Sequence, residues 1–361
     1  MKIAFIGQKG IPAQNGGVER YVESLALNLA ALGQDVLVYN RRNYLPVRLK
    51  EYKDIQIIEK PCIYSKNLAS ITHTFLALAD VWRRKVNIIH FQGIGPSLLV
   101  WLPKLLRPRV KIIATLHSFD YFNDKWGGFA KSMLRLGEKL MCRYSDQVIV
   151  LTESMREYVQ KTYGRETILI PNGANLYDEA GEERIRAWGL SRGNYILSVS
   201  RIIKLKGLQY LIAAFKNIQT DKKLVITGDG EYLAELEKLA ADDDRIIFTG
   251  NQNGRTLDQL YANAYLFVQS SEMEGLSISL LEAMAHKTAC LVSDIPANAE
   301  AIAGTGFTFA TKDIDDLQAK LQAILADSDT AQAKARSAYE RIKREFTWPA
   351  VAARVLAVYK Q

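Results

Sequence analysis

The chain of 361 residues is long enough for two domains of about 150 residues each, and its 48% hydrophobic and 24% charged composition excludes a disordered or fibrous protein. Its net charge of +8 is uneven: residues 1–175 carry 25 Lys and Arg against 14 Asp and Glu, whereas residues 176–361 carry 22 against 25. A basic half beside a near-neutral half suggests two domains with different partners, the basic one suiting nucleic acid, anionic lipid or phosphorylated ligands, or being no more than a basic-leaning surface.

The opening MKIAFIGQKG runs straight into a strand, so no signal peptide is expected. The three cysteines, Cys62, Cys142 and Cys290, lie far apart and form no Cys-x-x-Cys pair. Neither a disulfide framework nor a zinc knot is expected, and the reduced cytosol is the expected compartment. The most apolar stretch, GIGPSLLVWLPKLL (93–106), is broken by Pro103 and Lys104 before it reaches the ~18 residues of a spanning helix. It reads as a buried or interface-lying helix.

In chain order, KIAFIG (2–7) is a continuous apolar strand ending in Gly. After a loop with Gly10, Gly16 and Gly17, the residues Val18, Tyr21, Val22, Leu25, Leu29 and Leu32 recur at helical spacing, and Gly33 closes that helix. DVLVYN (35–40), IQIIEK (55–60), VNIIHFQG (86–93), KIIATLH (111–117), QVIVLT (147–152) and TILIPNG (167–173) continue as strands buried on both faces. Residues 174–194 are polar and strand-free and read as a linker. The pattern then restarts with YILSVS (195–200), KLVITGDG (223–230), RIIFTG (245–250), AYLFVQSS (264–271), ACLVSD (289–294) and GFTFA (306–310). Helices are expected between them and over 317–325 and 348–359. The fold class is therefore α/β, two consecutive doubly wound parallel-sheet domains with ligand loops at the strand C-termini and a cleft between the domains.

Three motifs carry chemistry. GQKGIPAQNGGVERYV (7–22) is a Gly-rich turn from a strand into a helix N-terminus, where free amides and the helix dipole attract phosphate. It lacks the spacing of a dinucleotide fingerprint, no acidic residue closes the second strand, and Gly16-Gly17 alone also reads as a tight turn. In SVSRIIKLKGLQYLIAAF (198–215), Arg201 and Lys206 follow a strand end and suit a diphosphate; a solvated basic loop is the plain alternative. In SSEMEGLSISLLEAMAHKTACLVSD (270–294), Glu274 precedes a helix that carries Glu282, and both carboxylates lie along one side of its start, where they can accept hydrogen bonds from sugar and ribose hydroxyls; an isolated pair of this kind would usually be a solvated helix face.

Taken together and in this order, GGVERYV, RIIKLKG, GDG and EGLSISLLEAMA resemble the family-4 retaining glycosyltransferases, over essentially the whole chain. GIPAQNGGVE, HFQGIGPSLL and KWGGFAKSMLRLGEKL (125–140) resemble a bacterial subgroup of rhamnosyl- and mannosyltransferase-like enzymes of polysaccharide assembly. The resemblance implies the GT-B fold, with two Rossmann-like domains: an acceptor-binding domain over 1–175, a nucleotide-sugar domain over 176–345, and a closing helix over 346–361, with Trp348, crossing back to the first. It implies that Arg201 and Lys206 hold the donor diphosphate, that Glu282 binds the ribose, and that Glu274 lies at the donor sugar or reacting centre. His117 matches the family's histidine near the donor sugar. Amides at Gly16, Gly17 and the stretch Gly275, Leu276, Ser277 and Ile278 approach the phosphates or sugar, and Gly228 and Gly250 line the base and ribose pocket.

Two departures from the family pattern stand out. The subgroup's His-Gly-x-Asp-Trp is here His117-Ser118-Phe119-Asp120-Tyr121, so Ser118 adds a side chain on the acceptor side. Ser277 stands where the family often has Pro. His73 and His286 read as structural, His90 as a strand-end histidine that is either structural or lines the cleft, and Asp242-Asp243-Asp244 as a solvated turn; no metal and no cofactor is expected beyond the nucleoside-diphosphate sugar itself.

The implied reaction moves a sugar from a nucleoside diphosphate to a hydroxyl of a glycan or lipid-linked acceptor, with retention of configuration. Domain closure would exclude water. Arg41, Arg42, Tyr44, Lys66, Arg83, Arg84 and Ser118 are the expected acceptor or membrane contacts of the basic first half. A peripheral enzyme at the cytoplasmic face of the membrane follows. A nucleotide-sugar epimerase on the same fold and a non-catalytic nucleotide-sugar binder are the alternatives. Nucleic acid is not an expected partner, because no stacking motif or recognition helix accompanies the basic residues.

Overall fold

Apolar runs rich in Ile and Val bury both faces of a strand, and their alternation with amphipathic helices produces parallel sheets. The computed structural model describes residues 1–65, 68–106, 108–122, 126–177 and 181–361. These divide into two compact units, Met1–Asn172 with Trp348–Gln361, and Gly173–Thr347.

The first unit contains, in order, β1 (Lys2–Ile6), α1 (Gly17–Ala31), β2 (Asp35–Arg41), β3 (Glu51–Tyr52), β4 (Ile55–Lys60), α2 (Ala69–Val81), β5 (Ile88–Gln92), α3 (Trp101–Leu106), β6 (Lys111–Leu116), α4 (Gly128–Tyr144), β7 (Gln147–Val150), α5 (Glu153–Tyr163) and β8 (Ile168–Leu169). Its eight strands lie in the order β3-β4-β2-β1-β5-β6-β7-β8. All pair in parallel except β3, a short antiparallel return onto β4. Each expected strand of this half forms, β8 being cut to two residues. The stretch 93–106 is not one helix: a 3₁₀ turn over Pro96–Leu99 precedes α3, and Leu105 and Leu106 at its end are exposed.

The second unit contains β9 (Tyr195–Val199), α6 (Leu208–Lys216), β10 (Lys223–Thr227), α7 (Leu233–Ala240), β11 (Ile246–Gly250), α8 (Gly254–Asn263), β12 (Leu266–Gln269), α9 (Ile278–Ala285), β13 (Ala289–Ser293), α10 (Pro296–Ile302), β14 (Phe307–Phe309), α11 (Ile314–Ala326) and α12 (Ser328–Glu345). Its six strands, all parallel, lie in the order β11-β10-β9-β12-β13-β14. One core cluster built on Leu211, Phe215, Leu224, Leu266, Leu291 and Leu321 joins this sheet to α6, α7, α11 and α12. The closing helix α13 (Trp348–Lys360) belongs to the first unit and packs on α1, with Trp348 edge-on to Tyr21 at 5.8 Å between ring centroids.

In each sheet the first strand has neighbours reached by connections running in opposite directions: β1 lies between β2 and β5, and β9 between β10 and β12. Loops diverge at such a switch point and leave a crevice outside the strand C-termini, where ligands of doubly wound sheets bind. The loops after β1 and β5 flank that point in the first unit, and the loops after β9 and β12 flank it in the second.

Candidate active site

In the second unit the loop after β12 is tied to the loop after β9. Ser270 Oγ donates to the Lys206 carbonyl at 3.1 Å, and the Glu272 amide donates to the Leu205 carbonyl at 2.9 Å. These bonds place the Lys206 ammonium against the Glu274 carboxylate, where the two form an ion pair in a half-buried setting. The same carboxylate oxygen, Oε1, accepts from Ser271 Oγ at 2.7 Å. Arg201 projects from the same loop, exposed, and pairs with no carboxylate among the described residues. Among the described residues the edge thus carries Arg201 without a carboxylate partner and Lys206 held by one.

Helix α9 starts at the same edge. Ser277, where the family often has Pro, is its N-cap: the Oγ accepts from the Leu280 amide at 3.3 Å and donates to Gln269 Oε1 at 2.6 Å. The serine therefore anchors the helix start to the end of β12. Gly275, Leu276, Ser277 and Ile278 are all buried at this turn, and Glu282 is half-buried inside the helix. Glu274 thus sits in the loop and Glu282 within the second turn of the helix. Gly228 and Gly250 close β10 and β11, linked by the Gly228 amide donating to the Gly250 carbonyl at 2.9 Å. Gly228 has φ +141, and a Cβ there would run into the Ser200 carbonyl, so only glycine lets the two loops pass so closely.

In the first unit, side chains hold the glycine-rich loop after β1 in place. Asn40, buried at the end of β2, accepts from the Ile11 amide at 3.0 Å and donates to the Ile11 carbonyl at 2.7 Å. Glu19 Oε1 accepts from the Lys9 amide at 2.9 Å, and Glu23 Oε2 accepts from the Ala13 amide at 2.8 Å. Gly16 is the N-cap of α1, at φ +94, and offers no side-chain cap to the first-turn amides. A Cβ on Gly16 would collide with the Glu19 carboxylate, whereas Gly17 faces open space. The helix start thus lacks a side-chain cap, with the Glu19 carboxylate beside Gly16 and open space at Gly17.

His117 follows β6 and is buried. Its Nε2 lies 2.9 Å from Gln92 Oε1, and its ring packs edge-on against Tyr21 at 4.7 Å. Burial pushes the imidazole pKa down to about 3, so the ring is neutral at physiological pH. His90 is structural rather than cleft-lining: it is fully buried, 2.7 Å from both Tyr359 OH and Thr115 Oγ1, and belongs to the core between β5 and α13.

The expected acceptor residues are not brought together. Arg41 and Arg42 follow the glycine-loop edge at the end of β2, and burial lowers the Arg41 guanidinium pKa. Tyr44 is a loop support, its hydroxyl accepting from the Gln14 amide at 2.9 Å. Arg83 and Arg84 follow α2 and precede β5. Arg84 is paired with Asp80, which also accepts from Tyr39 OH at 2.9 Å and Lys60 at 2.7 Å. Ser118 is half-buried after His117, and Lys66 lies outside the described residues. The motif reading missed Asn40, Glu19, Glu23 and Gln92, polar residues at strand ends or in the loop helix. A polar residue closing an otherwise apolar strand was the available signal.

Residues 15–177 match the family model "Glycosyltransferase Family 4", and residues 182–341 match "Glycosyl transferases group 1". The sulfoquinovosyl transferase SQD2 of Arabidopsis thaliana is 31% identical over 379 residues, spanning 98% of this chain and 72% of that protein. Among solved structures, sucrose-phosphate synthase from Thermosynechococcus elongatus superposes with a TM-score of 0.86 at 23% identity, covering 100% of this chain and 98% of the other. The Anabaena protein HepE in complex with UDP-glucose superposes with a TM-score of 0.82 at 19% identity, covering 100% and 99%. The chain belongs to the group 1, family 4 glycosyltransferases, retaining nucleotide-sugar-dependent enzymes of the GT-B fold.

Proposed function

We propose that this glycosyltransferase passes a hexosyl or related sugar from a nucleoside diphosphate to a hydroxyl of a glycan or lipid-linked acceptor in cell-surface polysaccharide or glycolipid synthesis. The observation that carries the donor side is the arrangement of Arg201, Lys206 and Glu274 on two loops at the switch point of the second unit. HepE was solved with UDP-glucose, so a uridine nucleotide sugar is the first donor to test.

The barrier is charge separation. As the glycosidic C–O bond breaks, the diphosphate gains negative charge and the sugar gains oxocarbenium character. Arg201 and Lys206 supply fixed positive charge where the leaving phosphate develops its own, which lowers the barrier more than it tightens ground-state binding. Glu274 holds Lys206 in place before the donor arrives. Glu282 accepts hydrogen bonds from the ribose hydroxyls, and Gly228 and Gly250 let the nucleoside approach the backbone. The amides of Gly275, Leu276, Ser277 and Ile278, and those of Gly16 and Gly17, donate to phosphate or sugar oxygens. The acceptor hydroxyl attacks from the face the leaving group departs, and a phosphate oxygen takes its proton, which preserves the configuration.

Replacing Arg201 or Lys206 by Ala is expected to lower turnover by ~10²–10³ with the fold retained. Wild-type turnover in either variant would remove the diphosphate assignment. Analysing the products of the donor with no acceptor present separates transfer from epimerisation, since only an epimerase turns the donor into an isomeric nucleotide sugar.

A membrane-facing acceptor site is a second part of the proposal. It rests on α4, which exposes Phe129 and Leu136 along one stripe with Arg135, Lys139 and Arg143. Among the described residues no helix is long and apolar enough to cross a membrane. The helix would instead lie in the interface, its rings and methyls among the acyl chains and its cations at anionic headgroups.

A further inference from the structure

His117 and its neighbours form a buried polar group at the switch point of the first unit. Gln92 is the last residue of β5 and pairs in register with Thr115 of β6, two residues before His117. The side chain is 3% exposed, so its amide must find partners inside the protein. Its Nε2 reaches the His90 carbonyl of its own strand at 3.5 Å, an acceptor that only the amide nitrogen can satisfy. This orientation turns Oε1 toward His117 Nε2, 2.9 Å away. Oε1 is acceptor-only, so Nε2 of the ring must carry the hydrogen. In a neutral imidazole the other nitrogen, Nδ1, then holds a lone pair.

The ring has little freedom to exchange these roles. Tyr21 packs edge-on against it, and Trp348 of α13 packs edge-on against Tyr21. Among the described residues the titratable groups that face His117 are Tyr21 and His90; His90 is itself neutral, its pKa lowered by burial to about 3. Both its nitrogens are spent on Tyr359 and Thr115, so His90 offers the ring no carboxylate-like support.

We propose that Gln92 is a positioning residue, which fixes His117 as the Nε2–H tautomer so that Nδ1 accepts a hydrogen bond from a hydroxyl of the donor sugar. The donor half of this statement rests on the reading of His117 as a donor-side residue; the tautomer half does not. Gln92→Ala removes the acceptor and lets both tautomers populate. Gln92→Glu keeps the shape and the acceptor but adds a charge that stabilises imidazolium, in which Nδ1 becomes a donor and can no longer accept.

The chain has four histidines, so single substitutions assign each imidazole in long-range nitrogen–proton spectra of the whole protein. The expected result is a neutral Nε2–H tautomer for His117 in the wild type from pH 5.5 to 8, and a mixture in Gln92→Ala. In activity, kcat/KM for the donor falls about tenfold in Gln92→Ala, the value of one hydrogen bond. In Gln92→Glu a new limb appears, with kcat/KM falling as pH drops through the raised imidazole pKa, whereas the wild type shows none from this group. An Nδ1–H tautomer in the wild type, or a Gln92→Glu profile superimposable on it, overturns the proposal. Wild-type kcat/KM in His117→Ala, with the Nε2–H tautomer observed, overturns the donor half alone.

Discussion

Asn40 shows how one side chain can shape a binding loop. Its amide answers both the N–H and the C=O of Ile11, a buried residue in the middle of the glycine-rich segment. Asn40→Ala would leave both backbone groups unsatisfied, each at about 1–3 kcal/mol. The variant is expected to lose about 3 kcal/mol of stability in urea unfolding; a loss below about 0.5 kcal/mol would show that water replaces the amide. The sequence made Arg201, Lys206, Glu274 and Glu282 legible because they stand in motifs with fixed spacing. It did not disclose Asn40 or Gln92, whose roles come from a partner in another strand. Nor could it separate Arg41, at the end of β2, from Arg84, which is committed to an ion pair with Asp80. Both are basic residues after apolar runs, and only the carboxylate partner distinguishes them.

Elements with a strong period were the easiest to read. β1, β2, β5 and β6 are apolar on both faces and fold where expected. The 18-residue α12 was not anticipated, because its buried stripe is Ala331, Ala335, Ala338 and Ile342, small residues that barely register among many charges. Helix α4 has the opposite character: its buried side holds Leu134, Glu138 and Met141, and its other side exposes Phe129 at 81% of its surface. Such an aromatic among cations is costly in water and useful at a lipid interface. The protein is expected to co-sediment with vesicles containing anionic lipid, with binding lost as salt rises and reduced in Phe129→Asp. Absence of binding at every salt concentration would remove the membrane reading and leave the transferase assignment standing.

For the whole molecule, the uneven charge of the sequence acquires a local meaning. The second unit, near-neutral overall, carries the diphosphate candidates Arg201 and Lys206, so phosphate recognition there depends on two placed cations and not on net charge. The basic first half contains the uncapped α1 N-terminus, His117 and the basic stripe of α4. The two-unit division and the doubly wound sheets followed from periodicity alone. The return of Trp348–Gln361 to the first unit was expected only from the family resemblance, and the boundary at Gly173 depends on packing. The central claim is that the second unit takes a nucleoside diphosphate sugar through Arg201 and Lys206. The most direct measurement is the Tm of the protein with UDP-, GDP-, ADP- and dTDP-sugars, because a ligand at 100 times its Kd adds about 2.7 kcal/mol to the folded state. The account predicts that at least one donor raises Tm and that Arg201→Ala and Lys206→Ala each diminish the rise. A folded protein whose Tm no nucleotide sugar moves, or a rise unchanged in both variants, would contradict it.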